Sequence, residues 1–188
     1  MDIETIELAS GNRLRIVQDE SPESPREWDN LSIMAFFHNR YNLGDKDTGL
    51  DIRDYESWED MEKDIIKRFD PVVIRKVRMY DHSGISISMD DNYPYNDQWD
   101  SGIIGFVFIP RSKALENWSI KRISPKRKNQ CMEIMRGEIE TYDQYLRGDV
   151  YGFVLEDSKG NHLDSCSGFF GSNPHKNGMA ENLSEKIP

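Results

Sequence analysis

Hydrophobic and polar residues alternate at the start of the chain in a pattern typical of a β-hairpin. Ile6 and Leu8 alternate with polar residues, as do Leu14 and Ile16, and a turn at residues 10–12 separates the two runs. A period of two places one face of each strand toward a core. Apolar or β-branched runs between turn-forming segments predict further strands at residues 72–80, 84–89, 102–109, 150–156 and 162–166.

Two segments instead repeat apolar residues at the spacing of an amphipathic helix. The repeating positions are Trp58, Met61, Ile65 and Phe69 in the first segment, and Cys131, Met135, Ile139, Tyr142 and Leu146 in the second. Asp54 is the predicted N-cap of the first helix and Pro71 ends it. The second helix is predicted to begin with Ser124 as N-cap and Pro125 at its first position, and to end at Gly148.

These patterns predict an α+β fold, an antiparallel β-sheet with the two main helices packed on one of its faces. The length of 188 residues fits one domain, which we place at residues 1–170. A C-terminal tail at 171–188 is predicted to be loop-like or weakly helical. Residues 31–37 form a strand or a buried helix, and residues 112–118 form a short helix.

The chain carries 34 acidic and 24 basic residues, a net charge of −10. The densest acidic run is at residues 45–64, and a basic stretch lies at 111–136. This balance disfavours direct nucleic-acid binding, which needs a positive field, and favours a basic partner. One alternative is that both runs are ordinary solvated surface. Another is that the basic stretch from Lys121 to Lys128 contacts nucleic acid or a partner.

The sequence contains no recognisable targeting signal or cofactor motif. The first twenty residues have no apolar core of a signal peptide, and no run of eighteen apolar residues could cross a bilayer. We therefore expect a cytoplasmic protein without membrane contact. The two cysteines, Cys131 and Cys166, are expected to be reduced and mostly buried. No phosphate-binding loop or zinc-ligand spacing is present, so no cofactor is predicted.

Aspartate and histidine residues offer one enzymatic interpretation. His38, Asp81, His82 and Asp100 could serve a hydrolase acting on nucleotides or nucleic acid. However, Asp81 and His82 are adjacent, and neighbours on a regular strand point to opposite faces. The alternative is a structural role in turns and caps, with His38 as a half-buried histidine. Whether the loop at 90–101 binds an ion stays open.

The acidic run offers a second interpretation, a surface that imitates a nucleic acid. Carboxylates three or four residues apart on a helix repeat at about 5–6 Å, comparable with the phosphate spacing of about 3.4 Å along one DNA strand. The predicted contact residues are Asp45, Asp47, Asp51, Asp54, Glu56, Glu59 and Asp60, with Trp28, Tyr41, Trp58 and Trp99 as apolar anchors. The alternatives are a solvated helix face and, for Trp28, a place in the core.

Four segments resemble a group of small proteins carried by phages and other mobile elements of bacteria and archaea. They are PREWDNLSIMAFFHNRYNLGDK at 25–46, YDHSGISIS at 80–88, WDSGIIGF at 99–106 and GEIETYDQYLRGDVYG at 137–152. The group supplies no catalytic residues to transfer. The resemblance implies a mobile-element context, in which small acidic proteins often inhibit host defence, as anti-CRISPR or anti-restriction proteins do. We therefore expect a non-enzymatic inhibitor that binds a host nucleic-acid-binding protein at a basic groove, in the host cytoplasm.

Overall fold

Eight strands and three α-helices make up the part of the chain that the structure, a computed structural model, describes: residues 2–81, 84–89 and 101–187. In chain order the strands are β1 (Asp2–Glu7), β2 (Arg13–Gln18), β3 (Ile33–Phe36), β4 (Pro71–Asp81), β5 (Ile85–Ser88), β6 (Ser101–Pro110), β7 (Val150–Glu156) and β8 (His162–Phe170). The helices are α1 (Trp58–Phe69), α2 (Arg111–Asn117) and α3 (Pro125–Arg147).

The predicted α+β class is confirmed, but the strands form two antiparallel sheets rather than one. The first has the order β1-β2-β7-β8, and the second has the order β3-β6-β4-β5. Contacts divide the chain into two compact units, one of residues 1–24 with 144–188 and one of residues 25–143. Local patterns along the chain reveal single strands, and they carry no information on which distant strands pair.

The first unit is built on the first sheet. The N-terminal hairpin is confirmed, with β1 antiparallel to β2 and a left-handed Gly11 in the turn. Its core contains Leu14, Ile16, Phe153 and Leu155 from the central strands β2 and β7. The tail adds Met179, which is 1% exposed, so residues 171–187 cover part of this core. In the described residues the tail consists of turns and bends, which agrees with the loop-like alternative of the prediction.

The second unit is built on the second sheet, with helices on both of its faces. Helix α1 packs its buried Met61 and Ile65 into a cluster that includes Ala35 of β3. The next residue of β3, Phe36, stacks on Tyr142 of α3 with ring centroids 6.5 Å apart. Since neighbouring strand residues point to opposite faces, the expectation that both helices share one face is wrong.

Strand β4 lies between β5 and β6 and pairs with both. The strands predicted at 84–89 and 102–109 therefore do not pair with each other. As a result the end of β5 and the start of β6 are separated by the width of β4.

The ends of the helices follow local capping chemistry. The N-cap of α1 is Ser57, whose hydroxyl accepts from the Asp60 amide, and not the predicted Asp54. Asp54 instead closes a short 3-10 turn at Ile52–Asp54. Helix α3 begins at Pro125 after Ser124, whose hydroxyl accepts from the Arg127 amide at 3.3 Å, as predicted. The predicted helix stop at Gly148, with φ of 73°, is also confirmed.

The outer edge of β3 is covered by the acidic run's first residues. Ala35 forms an isolated antiparallel bridge with Gly44, and the Asp45 amide donates to the Met34 carbonyl at 2.8 Å. Gly44 is required there because a Cβ at its φ of +73° would lie 2.4 Å from the Met34 carbonyl oxygen. This bridge fixes where the following acidic loop leaves the sheet.

Candidate partner-binding surface

Asp45, the first predicted contact residue, belongs to an ion network within the fold. Arg26 donates from Nε to Asp45 Oδ1 at 2.7 Å and from Nη2 to Oδ2 at 2.9 Å. Its Nη1 lies 3.5 Å from Glu138 Oε2. The Arg26 side chain is only 5% exposed, against 20% for Asp45. Such a pair stabilises the fold only when both charges stay matched, which assigns Asp45 a structural role.

The two carboxylates of this network also bind backbone amides at the start of β3. Asp45 accepts from the Met34 amide at 3.0 Å. Glu138 accepts from the amides of Leu31 at 2.7 Å and Ser32 at 3.0 Å, and from the Ser32 hydroxyl. The contact between Arg26 and Glu138 was not predicted, because more than a hundred residues separate them in the sequence.

The loop after Asp45 carries the carboxylates that face solvent. Asp47, Asp54 and Glu56 are all exposed. Asp47 lies in the left-handed region with φ of 57°, which aspartate tolerates better than most residues. Asp51 accepts from the amide and guanidinium of Arg53, and this hydrogen bond lowers the pKa of Asp51 to about 2. Asp51 therefore stays ionised at physiological pH.

The carboxylates of α1 are largely matched by cations of the same unit. Glu59 accepts from Lys76 Nζ at 2.9 Å, and this hydrogen bond is the main reason that the pKa of Glu59 is lowered. Asp60 pairs with Lys63 at 3.3 Å. Pairing reduces the field that these groups present to a partner. Helix α1 therefore presents fewer unpaired carboxylates than its sequence suggested. The loop at 47–56 has the more exposed carboxylates.

Two adjoining cavities lie beside this loop. One has a volume of about 620 Å³ and the other about 500 Å³, and both are lined by Phe36, Phe37 and Asp45. Ile52 lines the larger cavity and is 40% exposed. Leu50 lines the smaller one. We call this pair of cavities the groove.

The rim of the groove is acidic. The smaller cavity is lined by Asp47, Asp51 and Asp54 in addition to the shared Asp45. The groove thus has both apolar side chains and carboxylates among its lining residues, and the exposed Lys46 also lines the larger cavity. Leu50 and Ile52 were not predicted to take part in binding, since isolated apolar residues in a loop carry no periodic signal.

The predicted aromatic anchors have different environments. Trp28 is 46% exposed, so the alternative that it belongs to the core is wrong. Trp58 packs edge-on against Phe106 at 6.1 Å and is part of the α1 interface with the second sheet. Tyr41 stacks on His38 with ring centroids 5.0 Å apart, and both residues line the larger cavity. Trp99 lies outside the described residues.

Two of the four residues of the enzymatic interpretation are described. Arg40 links them, because its amide donates to His38 Nδ1 at 3.3 Å and its guanidinium pairs with Asp81. Across the described residues, no hydrogen bond joins His38 directly to Asp81, and no group of three or more His, Cys, Asp or Glu side chains is placed to hold a metal ion. His82 and Asp100, like most of the loop at 90–101, lie outside the described residues.

The two cysteines differ in accessibility. Cys131 is buried on α3, and burial raises the pKa of its thiol. Cys166 is an exposed free cysteine on β8, so the expectation that both thiols are buried is wrong for this residue. Its strand is at the edge of the first sheet and is exposed from His162 to Gly168.

Comparison with known proteins found no matching family model, no matching curated protein and no matching solved structure. Within the described ranges, none of the helices is both long enough and apolar enough to cross a membrane.

Proposed function

We propose that this protein binds a basic partner protein through the acidic loop at residues 47–56. The observation that carries the proposal is the exposure of Asp47, Asp54 and Glu56 beside an apolar groove, in a chain of net charge −10. Exposed charges of one sign steer an oppositely charged partner and select against nucleic acid. The same loop bears apolar surface at Ile52 to exclude water from a contact.

The partner class that fits this surface is a nucleic-acid-processing protein of the host's defence, acting through a basic groove. A groove that holds a phosphate backbone is lined by lysine and arginine, and a carboxylate surface can occupy it in place of nucleic acid. The resemblance of four segments to phage and mobile-element proteins supports the same class. The protein would then be an inhibitor of the anti-CRISPR or anti-restriction type in the host cytoplasm.

The test is phage plating on bacterial strains that each carry one defined CRISPR or restriction system. Expression of the parent protein should restore phage plaque formation on at least one strain. The triple variant Asp47→Lys/Asp54→Lys/Glu56→Lys should not restore it. Added salt should weaken binding of the purified pair, because exposed charges are screened. Failure of the parent to restore plating on any strain would refute the inhibitor proposal.

A matched control separates the position of the charges from their number. Glu116→Lys/Glu133→Lys/Glu140→Lys changes the net charge equally at exposed sites on α2 and α3. This control should restore plating as the parent does. If both triple variants fail equally, net charge and not the loop at 47–56 determines binding.

A further inference from the structure

The groove is large enough to take side chains of a partner protein. Its two cavities, of about 620 and 500 Å³, each lie in the range typical of small-ligand pockets. They share Phe36, Phe37 and Asp45 among their lining residues, so an occupant could pass from one into the other.

Charge decides which kind of segment fits. Asp47 and Asp54 line one cavity and are exposed, whereas Asp51, which also lines it, is paired with Arg53. A nucleic acid or an acidic peptide would be repelled at this rim, whereas a lysine or arginine could lay its methylene stem on the apolar side chains and its cationic head among the carboxylates. The complementary occupant is therefore basic.

The apolar walls require a second feature of the occupant. Ile52 leaves 40% of its surface exposed, and the stacked rings of His38 and Tyr41 also line the larger cavity. A large apolar side chain would displace more water from these surfaces than the methylene stem of a lysine or arginine.

We infer that the groove receives an extended segment of the partner protein in which a lysine or arginine stands next to a large apolar residue. This inference rests on the proposed function and specifies how the acidic loop engages its partner. The partner would insert side chains into the groove. The contact would therefore involve more than surface carboxylates that take the place of phosphates.

The probe for this inference is a dye-labelled synthetic peptide of eight alternating arginines and tryptophans, with a glutamate–tryptophan counterpart. Fluorescence anisotropy should show that the full-length protein binds the first peptide and not the second. Ile52→Ser should weaken binding about three- to eight-fold, the effect of burying two-fifths of an isoleucine side chain. Since Ile52 is exposed, this variant should keep the fold.

Charge variants complete the experiment. Asp47→Lys/Asp54→Lys should weaken binding by up to about twenty-five-fold, because each exposed ion pair contributes a factor of up to about five. Glu133→Lys/Glu140→Lys carries the same charge change away from the groove and should weaken it less than threefold. Equal losses in both double variants, no effect of Ile52→Ser, or no binding by the parent would overturn the inference.

The outcome is independent of the plating test. Suppose that the peptide does not bind, but the parent restores phage plating and Asp47→Lys/Asp54→Lys/Glu56→Lys does not. The groove inference then fails and the proposed function stands. If the peptide binds as expected and the parent restores plating on no strain, the groove is a peptide site and the inhibitor proposal fails.

Discussion

Replacing Arg26 with methionine should destabilise the second unit because it leaves two carboxylates without their cation. The Arg26 side chain is 5% exposed, while those of Asp45 and Glu138 are 20% and 14% exposed. Removing one member of a buried ion pair costs about 3–5 kcal/mol. Some water can reach both carboxylates after the change, so we expect the lower end, about 3 kcal/mol. With a urea m value of about 1–3 kcal/mol/M, the midpoint should fall by about 1–3 M.

Urea denaturation followed by tryptophan fluorescence measures this effect in the relevant unit. Trp28, Trp58 and Trp118 belong to the unit of residues 25–143, and the sequence of the other unit, residues 1–24 and 144–188, contains no tryptophan. The matched control is Arg53→Met, since the Arg53 side chain is 84% exposed in its pair with Asp51. That variant should leave the midpoint unchanged. Equal midpoints for the two variants would show that the Arg26 network does not stabilise the unit.

Three further predictions test the packing and electrostatics. A chromogenic disulfide reagent should modify Cys166 in the native protein and reach the buried Cys131 only after denaturation; two fast-reacting thiols would contradict this. Gly105→Ala should lower the free energy of unfolding by more than about 1 kcal/mol, because φ is 151° and a Cβ would lie 1.9 Å from a β3 carbonyl oxygen; an unchanged urea midpoint would be the contrary result. Tyr55→Phe should raise the pKa of Asp64 toward its ordinary value, since the Tyr55 hydroxyl is the main group lowering it, and an NMR titration unaffected by the change would disprove that assignment. A lowered folded-state pKa adds stability above the unfolded value of about 3.9 and loses it as pH falls through the folded value, so the deficit of this variant should shrink in acid.

Local chemistry predicted much of the secondary structure. Helix α3 has its cap at Ser124, its apolar stripe and its stop at Gly148 within one continuous segment, and each was found where the sequence placed it. The N-terminal hairpin was found for the same reason. For α1 two capping residues, Asp54 and Ser57, compete within one turn, and local pattern alone did not separate them.

Contacts between segments that are distant in the chain could not be predicted from local sequence patterns. The division of strands into two sheets depends on which distant strands pair, and no local pattern encodes that. Lys76 of β4 neutralises Glu59 of α1 through a contact between separate elements. A run of carboxylates in sequence therefore overstated the charge that α1 presents, while the groove formed by Phe37 and Ile52 stayed hidden.

The most direct test of the loop contact is amide hydrogen exchange on the complex with the defence protein that the plating assay identifies. We predict slowed exchange in peptides covering residues 45–60, with exchange at the basic residues 121–128 unchanged from the free protein. Slowed exchange confined to 121–128 or to β8, with the loop exchanging as in the free protein, would contradict a contact made by the acidic loop.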